Sequence, residues 1–497
     1  MGRVSVDDAL TSVRYPDRFY IDGSWSSPSS DATIDVIDSA TERAFLRVAE
    51  AREADVDRAI EAARRAFDEG AWPRLRHAER AAYLRAIAAA IRDRVDNLSQ
   101  MWPRESGILY TSAVAAISAL ADVWDFYAGL ADDFPFEERM KPTVGAFGLL
   151  VREPVGVVGA IIPWNGPLSL ITYKVAPALL AGCTVVLKAS PEAPGEAYIM
   201  AEIFEAVGLP PGVVNVVTAD REVSELLVQD HRVDKISFTG STAAGRRIAS
   251  ILGGRIGRCT LELGGKSAAV ILDDMDLVEA ARTLAAAGCR ISGQVCSSLT
   301  RIVVSRPRHD ELADALAHFF GSTRVGDPFD PLTEMGPLAS EQQLRRVQGM
   351  IDRGVSDGAR LVIGGGRPKG LDAGYYVEPT IFAHVDNASA IAQNEIFGPV
   401  LTVLPVDDEE QAIAVANDSI YGLNSSVFTH DVDRARDVAR RLRCGTVGHN
   451  AFRTDFGMAF GGYKQSGIGR EGGREGLLPY LEVKSIILND TPTEEGR

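Results

Sequence analysis

The sequence predicts an α/β protein with parallel sheets and more than one domain. Three observations carry this. Short β-branched runs alternate with helical stretches about ten residues long from residue 151 to residue 252, the pattern of strands joined by crossover helices. A comparable alternation restarts near residue 267. The chain has 497 residues, more than one core usually organises.

The elements follow in order. Residues 20–29 (YIDGSWSSPS) read as a short strand and turn. Val56, Ala59, Ile60, Ala63 and Phe67 recur at helical spacing and predict an amphipathic helix over 55–67. A second helix is expected over 78–98. Residues 132–148 are weakly periodic, charged and interrupted by prolines and glycines, so they read as an arm or crossover. The run 151–162 is β-rich and ends at Pro163. Strands are then expected at 184–188 (TVVLK), 213–217 and 235–238, and helices at 171–180, 197–207 and 241–252, with a helical turn ending at 226–230. In the second half, strands at 267–272 and 301–304 alternate with helices at 277–287 and 310–319. A domain boundary is placed near 263–265, and 485–488 reads as a last strand. No repeat with a period of 20–50 residues occurs.

Composition narrows the function. Hydrophobic residues make up 46% and charged residues 24%, which suits a water-soluble globular chain. The formal net charge of -16 repels phosphate backbones and anionic lipid, so nucleic acid and membrane are not expected partners. Residues 1–10 lack the apolar core of a signal peptide. The longest apolar run, near 175–187, contains Pro177 and is too short to span a bilayer. A cytosolic location is expected. The five cysteines, Cys183, Cys259, Cys289, Cys296 and Cys444, are odd in number and scattered, which argues against a disulfide framework. No metal is expected, since no CxxC occurs and the seven histidines lack HxxxH or HExxH spacing. Residues 467–472 satisfy GxGxxG, but no apolar strand precedes them and no complete βαβ unit follows; they read as a glycine-rich loop. Gly265-Lys266-Ser267 fails as a phosphate loop because position 260 is Thr.

Six motifs stand out: Pro163-Trp164-Asn165-Gly166-Pro167-Leu168, Phe238-Thr239-Gly240-Ser241, Glu262-Leu263-Gly264-Gly265-Lys266, Gly293-Gln294-Val295-Cys296, Glu395-Ile396-Phe397-Gly398-Pro399, and the stretch from Phe460-Gly461-Gly462 to Ser466-Gly467. Singly, each has a plain reading: a packed thiol, a solvated turn glutamate, a turn asparagine. Together, and in this order, they resemble the aldehyde dehydrogenase superfamily, from about Phe19 to Leu488.

The resemblance implies a Rossmann-like NAD(P)-binding domain over 1–131 and 151–263, an α/β catalytic domain over 264–477, and a small β oligomerisation arm over 132–150 and 478–497. It implies oxidation of an aldehyde to the carboxylic acid, and a homodimer or homotetramer. The chemistry is intelligible on its own terms. Hydride loss needs a tetrahedral alkoxide, which thiolate attack on the carbonyl makes. By the resemblance Cys296 is that nucleophile. The Asn165 amide and the cysteine backbone N–H meet the oxyanion, where one such donor is worth about 2.7–4 kcal/mol. Glu262 activates the water that hydrolyses the thioester. Lys174, otherwise a surface lysine, matches a residue that supports the site. Cys183 and Cys259 are expected as core thiols.

For the cofactor, the resemblance points to Trp164, Lys188, Gly240, Ser241, Leu263, Glu395 and Phe397, with Gly240 and Ser241 at a helix N-terminus where free N–H groups attract the pyrophosphate. The substrate tunnel is expected from Gly166, Leu170, Tyr173, Val295, Ser297, Arg453 and Phe460. Two positions depart from the family pattern. Pro191 stands where NAD-preferring relatives often carry Glu, so NAD is expected with NADP possible. Gly166 stands where many carry an aromatic residue, which implies a wider entrance. The alternatives are a CoA-acylating aldehyde dehydrogenase, against which the Glu262 motif argues, and a catalytically silent structural protein of the same fold.

Overall fold

Alternation of apolar side chains along each strand sends successive residues to opposite faces, and both faces are covered by helices. In a computed structural model, which describes residues 13–492, an eight-stranded sheet takes up most of the first half. Its order is Gly467–Ile468, Arg258–Glu262, Lys235–Thr239, Val157–Ile161, Thr184–Ala189, Val214–Thr218, Phe19–Ile21, Ser24–Ser26, and the five inner strands from 258 to 218 run parallel. The chain builds outward from Val157–Ile161 through two strands, then returns to its other flank with Lys235–Thr239. The strand order therefore reverses between these two, the place where doubly wound sheets open a ligand crevice. Val158, Ala160, Val185 and Leu187 pack under the helices His77–Asp93, Tyr110–Asp133, Pro167–Ala181 and Gly195–Ala206. Val157, Ile161, Val186 and Ile236 pack under Glu53–Asp68, Arg221–Gln229 and Thr242–Arg255.

The chain leaves this sheet at Glu262 and enters a second at Ser267. The second sheet has the order Arg360–Ile363, Thr380–Ala383, Val400–Val406, Leu299–Ser305, Ser267–Ile271, Asn424–Phe428, Thr446–His449, and is parallel except for its first strand. A third sheet pairs Leu481–Leu488, Phe147–Pro154 and Glu137–Met140 in antiparallel register.

Several expectations need correction. The run 151–162 is two strands in two sheets, Phe147–Pro154 and Val157–Ile161. They part at Gly156, φ +128, where a Cβ would collide with the Asp234 carboxylate that accepts the Val157 N–H. The arm strand thus runs to Pro154, past the boundary expected at 150. The helix expected over 78–98 is two, His77–Asp93 and Val95–Ser106, broken at Arg94. The helix Tyr110–Asp133 has no sequence forecast. Its apolar residues run round much of its surface rather than along a stripe. By length and composition it could cross a membrane, but Ala113, Ile117, Leu120, Ala121 and Trp124 are in the core, and Trp124 Nε1 donates to Thr172 Oγ1 at 3.0 Å. Residues 1–10 lie outside the described residues.

Candidate active site

The two sheets present strand ends to one cleft. The C-terminal ends of Val157–Ile161 and Lys235–Thr239 deliver the loops 163–166 and 239–241. The N-terminal ends of Leu299–Ser305 and Val400–Val406 deliver 295–297 and 395–397. All four loops line one cavity of about 560 Å³.

The cysteine loop is built under strain. Ile291, Ser292 and Gly293 have φ of 45°, 53° and 75°, a left-handed run that a β-branched residue resists. Three contacts hold it. Ser292 Oγ donates to the Gly336 carbonyl at 2.7 Å. Gly293 lies so close to Gly398 that a Cβ would stand 2.2 Å from its carbonyl. Gln294, fully buried, donates to the Ser106 carbonyl at 3.1 Å and accepts from Ala339 N at 2.9 Å. The Asn165 amide donates to the Gln294 carbonyl at 3.0 Å, beside the peptide leading to Cys296. Burial pushes the Cys296 thiol up to about 12, and the Glu395 and Glu262 carboxylates add to this; the backbone N–H groups of Ser297 and Cys296 pull the other way.

Glu262 ends its strand buried, and neither carboxylate oxygen has a hydrogen-bond partner among the described residues. Burial raises it well above the ordinary carboxylate range, as does Glu471; Lys174 and Arg470 oppose the shift. Lys174 is no surface lysine. It is fully buried, ion-paired with Glu471, and donates to Thr239 Oγ1 at 2.7 Å. Glu471 escaped the sequence reading although it sits inside the 467–472 loop; nothing local marks it as buried.

The motif glycines have spatial reasons. A Cβ at Gly264 would lie 2.3 Å from Glu395 Oε2, and one at Gly265 would lie 2.3 Å from the Cys296 carbonyl. Ser466 Oγ donates to the Gly264 carbonyl at 2.7 Å, and the Ser466 carbonyl accepts from Leu263 N at 2.9 Å. Gly461 leaves room for Glu262 Oε1, 2.6 Å from where its Cβ would be. Motifs far apart in sequence thus interlock around one cleft.

At one end of the cavity lie Trp164, Gly240, Ser241, Leu263, Glu395 and Phe397, with Glu192 and Arg221. Ser241 caps the helix Thr242–Arg255 by accepting from Ala244 N, leaving other first-turn N–H groups for an anion. Gly245 lets this helix close on Leu263, whose side chain would be 2.5 Å from a Cβ there. The Trp164 and Phe397 rings meet edge to face at 5.4 Å. Glu395 accepts from Gly265 N at 3.2 Å, and burial raises it to about 7. Lys188 lies buried behind the lining, its ammonium lowered to about 8 by burial against the pull of Glu192 and Asp220. Amide donors at a helix start, in a cavity that Glu192 and Glu395 also line, suit the phosphates of a nucleotide.

At the other end, Gly166, Leu170, Val295, Ser297 and Phe460 line the wall with Trp102, Phe452 and Phe456. Tyr173 stands one layer back, stacked on Phe456 at 4.0 Å. Arg453 departs from expectation: it is exposed and outside the lining. Side chains alternate here, so Phe452, Thr454 and Phe456 face inward while Arg453 and Asp455 face solvent. At Gly166 a Cβ would meet nothing nearer than Trp102 at 3.7 Å, so its wall is open. All five cysteines are unbridged; Cys183 is buried, whereas Cys259 is only partly so.

A doubly wound sheet that brings a helix start into the same cleft as a cysteine and a buried glutamate defines a nucleotide-binding α/β enzyme. The chain matches the aldehyde dehydrogenase family over residues 25–486 and belongs to it. It is 43% identical over 473 residues to a 3-succinoylsemialdehyde-pyridine dehydrogenase from a Pseudomonas species, covering 94% of this chain and 98% of that one. It is similar to the crystal structure of a Mycobacterium tuberculosis aldehyde dehydrogenase complexed with NAD+, at 45% identity and TM-score 0.92, covering 95% and 98% of the two chains. A mutant of aldehyde dehydrogenase C from Pseudomonas syringae, complexed with NAD+ and octanal, is 40% identical with TM-score 0.92, covering 96% and 98%.

Proposed function

We propose that this cavity oxidises medium-chain aliphatic or aromatic aldehydes to carboxylic acids, with Cys296 as nucleophile and Glu262 as the base that activates water. Aldehyde oxidation with NAD(P)+ follows from the family; the residue roles and the substrate size rest on geometry. The supporting observation is that Cys296, Asn165 and Glu262 border one cavity. The Cys296 thiolate adds to the carbonyl carbon, and the Asn165 amide and the Cys296 N–H receive the oxyanion. Gly240, Ser241, Glu395, Phe397, Trp164, Leu263 and Lys188 would hold NAD+, which supplies the hydride acceptor. Glu262 then takes a proton from water as it attacks the thioester carbon, and the Cys296 sulfur leaves. The CoA-acylating alternative is not favoured.

An aromatic wall and the opening at Gly166 favour larger aldehydes over acetaldehyde, since each buried CH₂ adds about 0.8 kcal/mol. The octanal complex of the Pseudomonas syringae relative is consistent with this. NAD+ is preferred over NADP+ because Glu192 lines the cavity near Lys188, while Arg221 lets the second cofactor in. Assembly as a dimer or tetramer runs through the third sheet, whose outer strand Leu481–Leu488 exposes Val483 and Ile487. Five unbridged cysteines support action in the cytosol. A panel of aldehydes assayed with NAD+ and NADP+, with and without CoA, is expected to give the highest kcat/KM for medium-chain substrates with NAD+. Absence of aldehyde-dependent NADH formation, or a dependence on CoA, would overturn the reading.

A further inference from the structure

Histidines that look dispersed in the sequence meet in space. His309 opens the helix His309–Gly321 with Asp310 next to it, and His384 directly follows the strand Thr380–Ala383. His309 Nδ1 lies 3.0 Å from Asp310 Oδ1, and His384 Nε2 lies 2.9 Å from the same oxygen. The three ligand atoms all fall within 4.8 Å of one another. The place is the C-terminal end of the second sheet's strands, whereas the cavity lies at their N-terminal ends. The cluster therefore has no part in the site described above.

We propose that His309, Asp310 and His384 form a binding site for a divalent cation of the zinc, cobalt or nickel type. Two imidazoles and one carboxylate are the donors such ions take, with further positions left for water. A zinc ion held at about 2.0–2.1 Å from each donor needs ligand atoms roughly 3.3 Å apart. The two imidazole–carboxylate separations, 3.0 and 2.9 Å, are within a few tenths of an ångström of that. The two imidazoles, within 4.8 Å of each other, close the remainder by rotation of the exposed His384 side chain. His309 is 1% exposed and oriented from behind: its Nε2 is 3.3 Å from the Val403 carbonyl and 3.1 Å from the His384 backbone N. When Nε2 carries the proton and donates to that carbonyl, the Nδ1 lone pair faces the Asp310 carboxylate, and a cation belongs between them. In the other tautomer Nε2 accepts the His384 N–H and a proton on Nδ1 occupies the same place, so the metal and a proton compete for it. Asp310 and His384 are exposed, which opens the position to solvent. The Arg360 guanidinium, 3.9 Å from Asp310 Oδ1, opposes the cation and limits its affinity. A bound ion would tie the helix start to a strand end 74 residues away (384 − 310), and by binding only the folded chain it would stabilise it.

The test is titration of the metal-stripped enzyme with zinc against a chromophoric chelator, and with cobalt followed by its visible absorption. The variants are His384→Asn, chosen because His384 has φ 52° and Asn tolerates that conformation, and Asp310→Asn. The wild type is expected to bind one ion per chain that neither variant holds, or holds at least about tenfold more weakly. Zinc is expected to raise the melting temperature of the wild type alone. Unchanged aldehyde oxidation without metal shows that the variants fold. Equal stoichiometry and affinity in all three proteins would overturn the site and place any bound metal elsewhere, for instance on the Cys296 thiol.

Discussion

Replacing Glu262 by Gln separates the two halves of turnover. Both carboxylate oxygens of Glu262 are buried without a hydrogen-bond partner among the described residues, so an amide of the same shape loses no bond in the folded protein. The carboxyl is raised well above its ordinary value, mainly by burial. A raised acid contributes stability below its unfolded pKa of about 4.5 that is lost as pH rises toward the folded value. The Gln variant is therefore expected to be at least as stable as the wild type at neutral and alkaline pH. The Glu262 charge also holds the Cys296 thiol up, so its removal favours the thiolate and leaves acylation intact. Loss of a general base slows deacylation by about 10²–10⁴-fold, which is about 2.7–5.5 kcal/mol on the barrier. Stopped-flow should show a burst of NADH near one per active site, then a much slower steady rate, with a thioester on Cys296 visible by mass spectrometry. Cys296→Ala serves as the control and should give no NADH even in the first turnover. A wild-type steady rate from Glu262→Gln, with free acid formed, would refute the assignment and show that another group activates the water.

Other expectations follow from the same geometry. A thiol raised to about 12 by burial is mostly protonated at neutral pH, so kcat/KM should rise with pH, approaching tenfold per unit where thiolate formation limits; a profile flat from about pH 6 to pH 9 would show that Cys296 is already ionised in the working enzyme. Gly166→Phe fills open wall beside Trp102 and should depress kcat/KM for aromatic aldehydes more than for acetaldehyde; equal losses would mean that Gly166 does not border the substrate. Glu105 is buried with one oxygen on Gly195 N–H, and burial raises it to about 8. Its contribution to stability is present below about pH 4.5 and is lost as pH rises to about 8, so Glu105→Gln should flatten the fall in denaturation midpoint over that window, and an unchanged slope would count against the buried neutral acid.

Much was legible in the sequence because it is written in local patterns. The alternation of β-branched runs with helices forecast parallel sheet, and the order of the six motifs carried the family resemblance, since each motif is a short string of residue types. Gly264, Gly265 and Gly293 could be marked as motif glycines, but why they are glycines became visible only when Glu395, Cys296 and Gly398 arrived beside them from distant parts of the chain. The same holds for charge. Lys174 could be read as exposed or functional, and its pairing with Glu471, 297 positions away, settled that it is buried. Arg453 was set outside the cavity by the alternation of Phe452 and Thr454, which no residue count predicts. The split at Gly156 depended on the Asp234 carboxylate. Period and motif are properties of neighbours in sequence, so the sequence by itself determined the fold class and the chemistry-bearing residue types. Burial, pairing and the proton affinities of Cys296 and Glu262 are set by neighbours in space, through desolvation and charge, and these only the tertiary structure decided.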